Sequence, residues 1–240
     1  MFKLIKMIKQ IPTQIYKSEA RGVFKTENHN CFATFNFADY QDLSRKPFGT
    51  LQILNEEILG PNQRINVTVK ENTNVVILPL FGGVEYSDNH LKSEFLRVDQ
   101  IKLVKVSSEM SFEIFNPYEN EIVSYLQIDF LQDLQFYQNH SELSEIDFTS
   151  RNKMLPLFEI GKNAGFIGVY DGRKHGSYTL RDTKNGVFVF VINGAFEVED
   201  RLLEAKDGLS LKKVSAIEWE ALSENAVLLV FEVILKQIGI

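Results

Sequence analysis

The sequence predicts an all-β chain folded as two β-sandwich or barrel domains in tandem, with a short helical or loop connection. Three observations predict it. Short runs of alternating apolar and polar residues recur along most of the chain, tight-turn signals separate them at regular spacing, and the second half repeats the habit of the first. Such spacing favours a sandwich or compact barrel over βαβ units.

The opening "MFKLIKMIKQ" places Lys3, Lys6 and Lys9 opposite Phe2, Leu4, Ile5 and Ile8 and is expected to pack as a short terminal helix or strand. It lacks the long apolar stretch and small-residue site of a secretory leader. "CFATFNFADY" alternates, with Cys31, Ala33, Phe35 and Phe37 on one face. The strand candidates "GTLQILNEEIL", "INVTVKE", "NVVILPLFG", "IKLVKVS" and "SFEIFNP" follow, and Pro79 demands an edge, a bulge or a strand end. The stretch "QDLQFYQNHSELSEIDFTSRNKM" is the least strand-like. It sets the expected division into a first domain at 1–134, a connection at 135–150 and a second domain at 151–240. Beyond it, "GFIGVYDG", "GSYTLR", "GVFVFVING", "AFEVED", "LSLKKVS" and "NAVLLVFEVIL" are strands parted by turns such as "DGRKHG" and "TKNG".

Composition narrows the function. At 240 residues and 44% hydrophobic, the chain can bury a substantial core, and a formal charge of −6 offers no field for a nucleic-acid backbone. No run approaches the apolar length of a membrane span. The single cysteine, Cys31, excludes an intramolecular disulfide and a thiolate zinc cage, which suits a reducing compartment and leads to a cytoplasmic expectation. "FGG" at 81–83 and "NGAFE" at 193–197 lack the lysine and hydroxyl of a phosphate loop and are expected as hairpin turns.

The segments "FATFNFADY" and "FGTLQILNEEILGPNQRI", then the "ING" turn and "LLEAKDGLSLKKVSAIEWEAL", resemble the pirin-like family of bicupins. The resemblance implies that both domains are cupin-like. It also implies a mononuclear metal, usually iron, held by a histidine-x-histidine pair, a later histidine and a glutamate, and an oxygenase acting on flavonoid-like substrates. With the family's glycine turn set on Gly82, the pair falls near Thr68 and Lys70, and the later ligands near Ile114 and Asn116. An ammonium group and an isoleucine donate no lone pair to a metal. Shifting the match by one residue reaches Val69 and Glu71, a single plausible ligand.

No other constellation replaces the lost set. His29, His90, His140 and His175 show no close ligand spacing. Glu56 and Glu57 are neighbours on a strand and point to opposite faces, so one of them can turn inward. Cys31 is expected in the core. The sequence therefore predicts no catalytic residue, no cofactor and no metal, and a candidate pocket of Glu56, Glu57, Thr68, Lys70, Glu71, Tyr86 and Glu113. The expected function is a metal-free pirin-like bicupin that binds a protein partner or a small molecule, with no direct contact to nucleic acid or membrane. The alternative is an enzyme with a non-standard pocket, in which an inward acid beside Lys70 is the discriminating feature.

Overall fold

A computed structural model describes residues 12–88, 93–131 and 139–235. The opening "MFKLIKMIKQ" and His90 lie outside them. The strands run, in order, β1 Thr13–Tyr16, β2 Gly22–Lys25, β3 His29–Ala33, β4 Leu51–Leu59, β5 Arg64–Val69 and β6 Thr73–Phe81. Next come β7 Val84–Asp88, β8 Glu94–Leu96, β9 Gln100–Val106, β10 Met110–Phe115, β11 Val123–Leu131 and β12 His140–Glu145. The second half supplies β13 Leu155–Ile160, β14 Asn163–Tyr170, β15 His175–Thr179, β16 Gly186–Asn193 and β17 Ala195–Val198. It ends with β18 Arg201–Glu204, β19 Gly208–Leu211, β20 Ala216–Ala221 and β21 Ala226–Val233. A single 3-10 turn, Ser18–Ala20, is the only helical element among the described residues.

Each barrel pairs a large sheet with a small one. The first combines β12-β9-β6-β11-β4-β3-β2 with β5-β10-β7-β8, and the second β1-β19-β16-β21-β14-β13 with β15-β20-β17-β18. The small sheets alternate cleanly. On β20, Ile217, Trp219 and Ala221 are buried while Ala216 and Glu218 are exposed, as befits a sheet with one solvated face.

The large sheets are buried on both faces, which explains their near-continuous apolar sequences. On β16, Val187, Val189 and Val191 enter the second barrel, whereas Phe188 and Phe190 enter a core shared between the barrels. β11 divides likewise, with Val123 and Tyr125 inside the first barrel and Leu126, Ile128 and Phe130 in the shared core. In that core the rings of Phe130, Phe158 and Phe231 meet at centroid separations of 5.4, 5.9 and 6.1 Å.

Two segments sit away from their sequence neighbours. β1 precedes the first barrel in the chain yet adds to the second barrel's large sheet, pairing with β19 from Thr13↔Leu211 to Tyr16↔Gly208. Residues 140–145, within the expected connection, form β12 on the edge of the first barrel's large sheet instead of a helix or loop. Its backbone bonds to β9, and polar residues suit its outer edge. Pro79 lies beyond Ile77↔Lys102, the last pair of β6 with β9, and at a register shift opposite Tyr125, so its missing N–H breaks no ladder.

Buried polar groups fasten these pieces. Thr50 Oγ1 of the first barrel donates to Asn163 Oδ1 of the second at 2.7 Å, and Ile234 N–H donates to the same oxygen at 2.9 Å. Gly49, at φ +59°, fits here because a Cβ would lie 2.2 Å from the Ile234 carbonyl oxygen. Inside the second barrel's end, Glu232 accepts from Tyr178 Oη at 2.5 Å, the backbone N–H groups of Arg181 and Asp182 at 3.0 and 3.1 Å, and Asn185 Nδ2 at 2.8 Å. Burial raises the Glu232 carboxyl pKa, and these donors together outweigh it and hold the group below its ordinary value.

Replacing Glu232 by Leu strands those donors and is expected to cost at least about 3 kcal/mol in urea unfolding, whereas Glu232→Gln costs about 1–2 kcal/mol at neutral pH. Because the folded pKa is depressed, the carboxylate's contribution is complete above its unfolded pKa of about 4.3 and is lost as pH falls through the folded value. The wild-type advantage over Glu232→Gln therefore holds constant from neutral pH down to about 5 and narrows only in stronger acid.

Candidate functional site

The interior of the first barrel is where the resemblance would place a metal. β5 and β10 line it as antiparallel neighbours, with Ile65 opposite Ile114, Val67 opposite Phe112 and Val69 opposite Met110. Alternation sends Ile65, Val67, Val69, Phe112 and Ile114 inward, joined by Tyr86 of β7, which pairs with Ile114. Ile114 and Tyr86 are wholly buried, and Val69 and Phe112 nearly so.

Thr68 and Lys70 therefore point the other way. Thr68 is exposed, its hydroxyl sharing a 2.9 Å hydrogen bond with Ser111 Oγ, and Lys70 and Glu71 are exposed at the turn after β5. Glu113 also faces outward and takes Arg64 Nη1 at 2.6 Å, with that guanidinium stacked 3.8 Å from the Phe115 ring centroid. Asn116 is buried as a loop clamp, donating through Nδ2 to the carbonyls of Leu59, Gly60 and Glu121. The inward positions of β5 and β10, with Tyr86, offer hydrocarbon and one phenol in place of imidazole and carboxylate, so a metal with the family's donor set does not fit there. Among the described residues no group of three His, Cys, Asp or Glu side chains is placed to hold a metal ion.

The seven residues of the sequence-derived pocket are not brought together. Glu56 and Glu57 diverge as adjacent strand residues must. Glu56 lies between Arg21 Nη1 at 2.9 Å and Lys206 Nζ at 2.7 Å, and Lys206 belongs to the second half of the chain. Burial pushes its carboxyl up, but the two cations prevail and leave it below the ordinary range. Glu57 turns inward, 2.6 Å from His29 Nε2. Beside it Cys31 is buried, its thiol pushed far up by burial and by the Glu57 charge, so no thiolate is available. Tyr86 donates to Asp88 Oδ2 at 2.8 Å and lies under Lys102 Nζ, 5.0 Å from the ring centroid, and Lys102 is itself ion-paired with Glu94.

Sequence reasoning missed the polar stripe around Glu57. On β11, Tyr125, Gln127 and Asp129 share the inner face, opposite Leu126, Ile128 and Phe130. The alternation "YLQIDF" carries this signal, since polar residues at every second position of a strand buried on both faces must line an interior. Burial pushes the Asp129 carboxyl up to about 7 against the lowering effect of Gln127 Nε2, 3.2 Å away, with the Glu57 charge adding to the rise. Among the described residues, the second barrel keeps its polar interior to the Glu232 cluster at one end. Its inward residues, Val187, Val189, Phe196, Val198 and Trp219 among them, form an apolar core, and its acids Glu197, Glu199, Asp200, Glu218 and Glu220 line an outer groove of about 590 Å³ with His175.

Comparison with known proteins agrees with this architecture. Residues 159–233 match the family described as the Quercetinase C-terminal cupin domain. The chain is 21% identical over 204 residues to quercetin 2,3-dioxygenase of Escherichia coli (strain K12), covering 82% of this chain and 88% of that protein. The crystal structure of YhhW from Escherichia coli superposes with a TM-score of 0.86 at 17% identity, covering 92% of this chain and 97% of that one. The structure of the bacterial pirin YhhW in complex with nickel(II) gives 0.84 at 16% identity, covering 92% and 99%. The chain thus has the two-barrel fold of these pirin structures, and residues 159–233 in its second half are similar to the Quercetinase C-terminal cupin domain.

Proposed function

We propose that this bicupin works by binding, without a resident metal, and that it captures a small molecule or a protein partner. One observation carries the reading. The inward positions of β5, β7 and β10, where the fold family would hold a metal, are packed with Val67, Val69, Tyr86, Phe112 and Ile114. The relatives named as quercetin dioxygenases have their activity attached to a fold that this chain shares, but a shared fold transmits no chemistry without the side chains that perform it. The buried, inert state of Cys31 suits a reducing compartment such as the cytoplasm. The rival reading, an enzyme with an unfamiliar constellation, draws on Asp129, whose pKa of about 7 is that of a general base at neutral pH. It predicts turnover with a rate that rises through pH 7.

The deciding experiment purifies the protein without chelator or metal-affinity resin and incubates it with iron, nickel, zinc and manganese before desalting. Elemental analysis is expected to find far less than one metal per chain, and flavonol loss is expected to match a protein-free control. Tightly held metal near stoichiometry would overturn the proposal. The packing behind it has its own check by chemical denaturation. Ile114→Ala is expected to cost about 2–5 kcal/mol, as a core truncation does, while Lys70→Ala stays within about 0.5 kcal/mol. Equal costs at the two positions would mean that the inward and outward faces have been exchanged.

A further inference from the structure

The inner wall of the first barrel carries hydrogen-bonding capacity that the protein does not use. Alternation along β4 and β11 places Asn55 and Glu57, with Tyr125 and Gln127, on the same wall as Leu59 and Val123. The register sets Tyr125 opposite Glu57 and Gln127 opposite Asn55. The four side chains thus share a patch one strand spacing wide and one two-residue repeat long, roughly 4.8 by 7 Å. Asn55 and Tyr125 are each 1% exposed, yet Asn55 Nδ2 and the Tyr125 hydroxyl have no hydrogen-bond partner. Gln127 Nε2 is committed to Asp129, and Glu57 Oε2 to His29. An unpartnered buried polar group costs about 1–3 kcal/mol, so two on one small patch mark a place built for an occupant.

We propose that this patch binds a small, uncharged, hydroxyl-bearing molecule inside the first barrel. The proposal rests on the reading of the barrel as a metal-free binding module and names its site. The chemistry follows from the donors and acceptors. Asn55 Nδ2 requires an acceptor, and the Tyr125 hydroxyl serves as donor or acceptor. A hydroxyl group is both at once. A carboxylate or phosphate would face the Glu57 charge, and an ammonium group would offer nothing to Asn55 Nδ2. Phe112, Ile114 and Tyr86 pack in the same cluster as Tyr125, which favours a small occupant. A bound water is the competing occupant.

The test is saturation-transfer NMR with 1,2-propanediol as the probe, on the full chain and on the Asn55→Leu/Tyr125→Phe variant. Both substitutions replace unpartnered polar groups by apolar ones of similar size, a change that is close to neutral for stability. Circular dichroism verifies the fold. Transfer is expected in the wild type and is expected to fall at least about tenfold in the variant, the equivalent of two lost hydrogen bonds. Should the double variant fail to fold, Tyr125→Phe alone is expected to weaken transfer about fivefold. No transfer to the wild type, as when water alone occupies the patch, or equal transfer to wild type and variant would overturn the proposal. Metal content measured on the same samples judges the metal-free reading separately, so the two can fail independently.

Discussion

The two barrels depend on a core that neither owns. Phe130 from the first large sheet packs against Phe158 and Phe231 from the second, and Phe188 meets Tyr16, Phe35 and Phe48 in a second ring cluster. Burying one such ring contributes roughly 1.5–3 kcal/mol, with up to about 1.5 kcal/mol more where rings meet edge to face. Around these rings the core extends over β4, β6, β9 and β11 of the first large sheet. The strands behind them must therefore be apolar on the outer face as well as on the face that lines their own barrel. Separating the barrels would expose this aromatic layer, which is why β1 and the Thr50–Asn163–Ile234 hydrogen bonds cross between them as ties.

That constraint decides where polarity can enter. With the shared face largely apolar, the inner walls and the small sheets carry most of the remaining polarity. The small sheet of the first barrel spends its inward positions on Val67, Val69, Phe112 and Ile114, and the large sheet's inner wall takes Asn55, Glu57, Tyr125, Gln127 and Asp129 instead. The polar interior of this barrel thus lies on the large sheet and not on β5 and β10. Glu56, one residue from Glu57, faces the opposite way and ends between Arg21 and Lys206, where it ties the two halves of the chain. One dipeptide serves the interior and the seam because successive strand residues point apart.

The β architecture was legible because each kind of strand leaves its own pattern. "MSFEIF" alternates because one side of β10 is wet, whereas "GVFVFVIN" is apolar throughout because both sides of β16 are dry. What the sequence could not carry was register. Alignment to a remote family places the ligand pair at Thr68 and Lys70, yet backbone pairing with β10 turns Val67 and Val69 inward, and a one-residue slip exchanges the faces of a whole strand. Long-range pairings were equally hidden. β12 is mostly polar and reads as a connection because an edge strand needs backbone partners more than apolar side chains, and β1 is claimed by a sheet whose other strands begin some 140 residues later. Phe35 continues the alternation of Cys31 and Ala33, but β3 ends at Ala33 and the chain turns Phe35 into the shared core.

The same packing shows what closes the first barrel. In a small metal-dependent domain the ligand set closes the structure, and its loss unfolds the chain. Here the barrel is held from outside by the aromatic core and from inside by packing of β5, β7 and β10 against Leu59, Val75, Ile77 and Tyr125. Exchanging imidazole and carboxylate for valine, phenylalanine and isoleucine removes groups that are costly to bury without an ion and replaces them with groups that gain by burial. A histidine or glutamate among the inward residues of β5 and β10 would need a hydrogen-bond partner that their apolar neighbours on this small sheet do not supply. The inward positions of β5 and β10 hold side chains that gain by burial, so this wall of the barrel closes by packing alone.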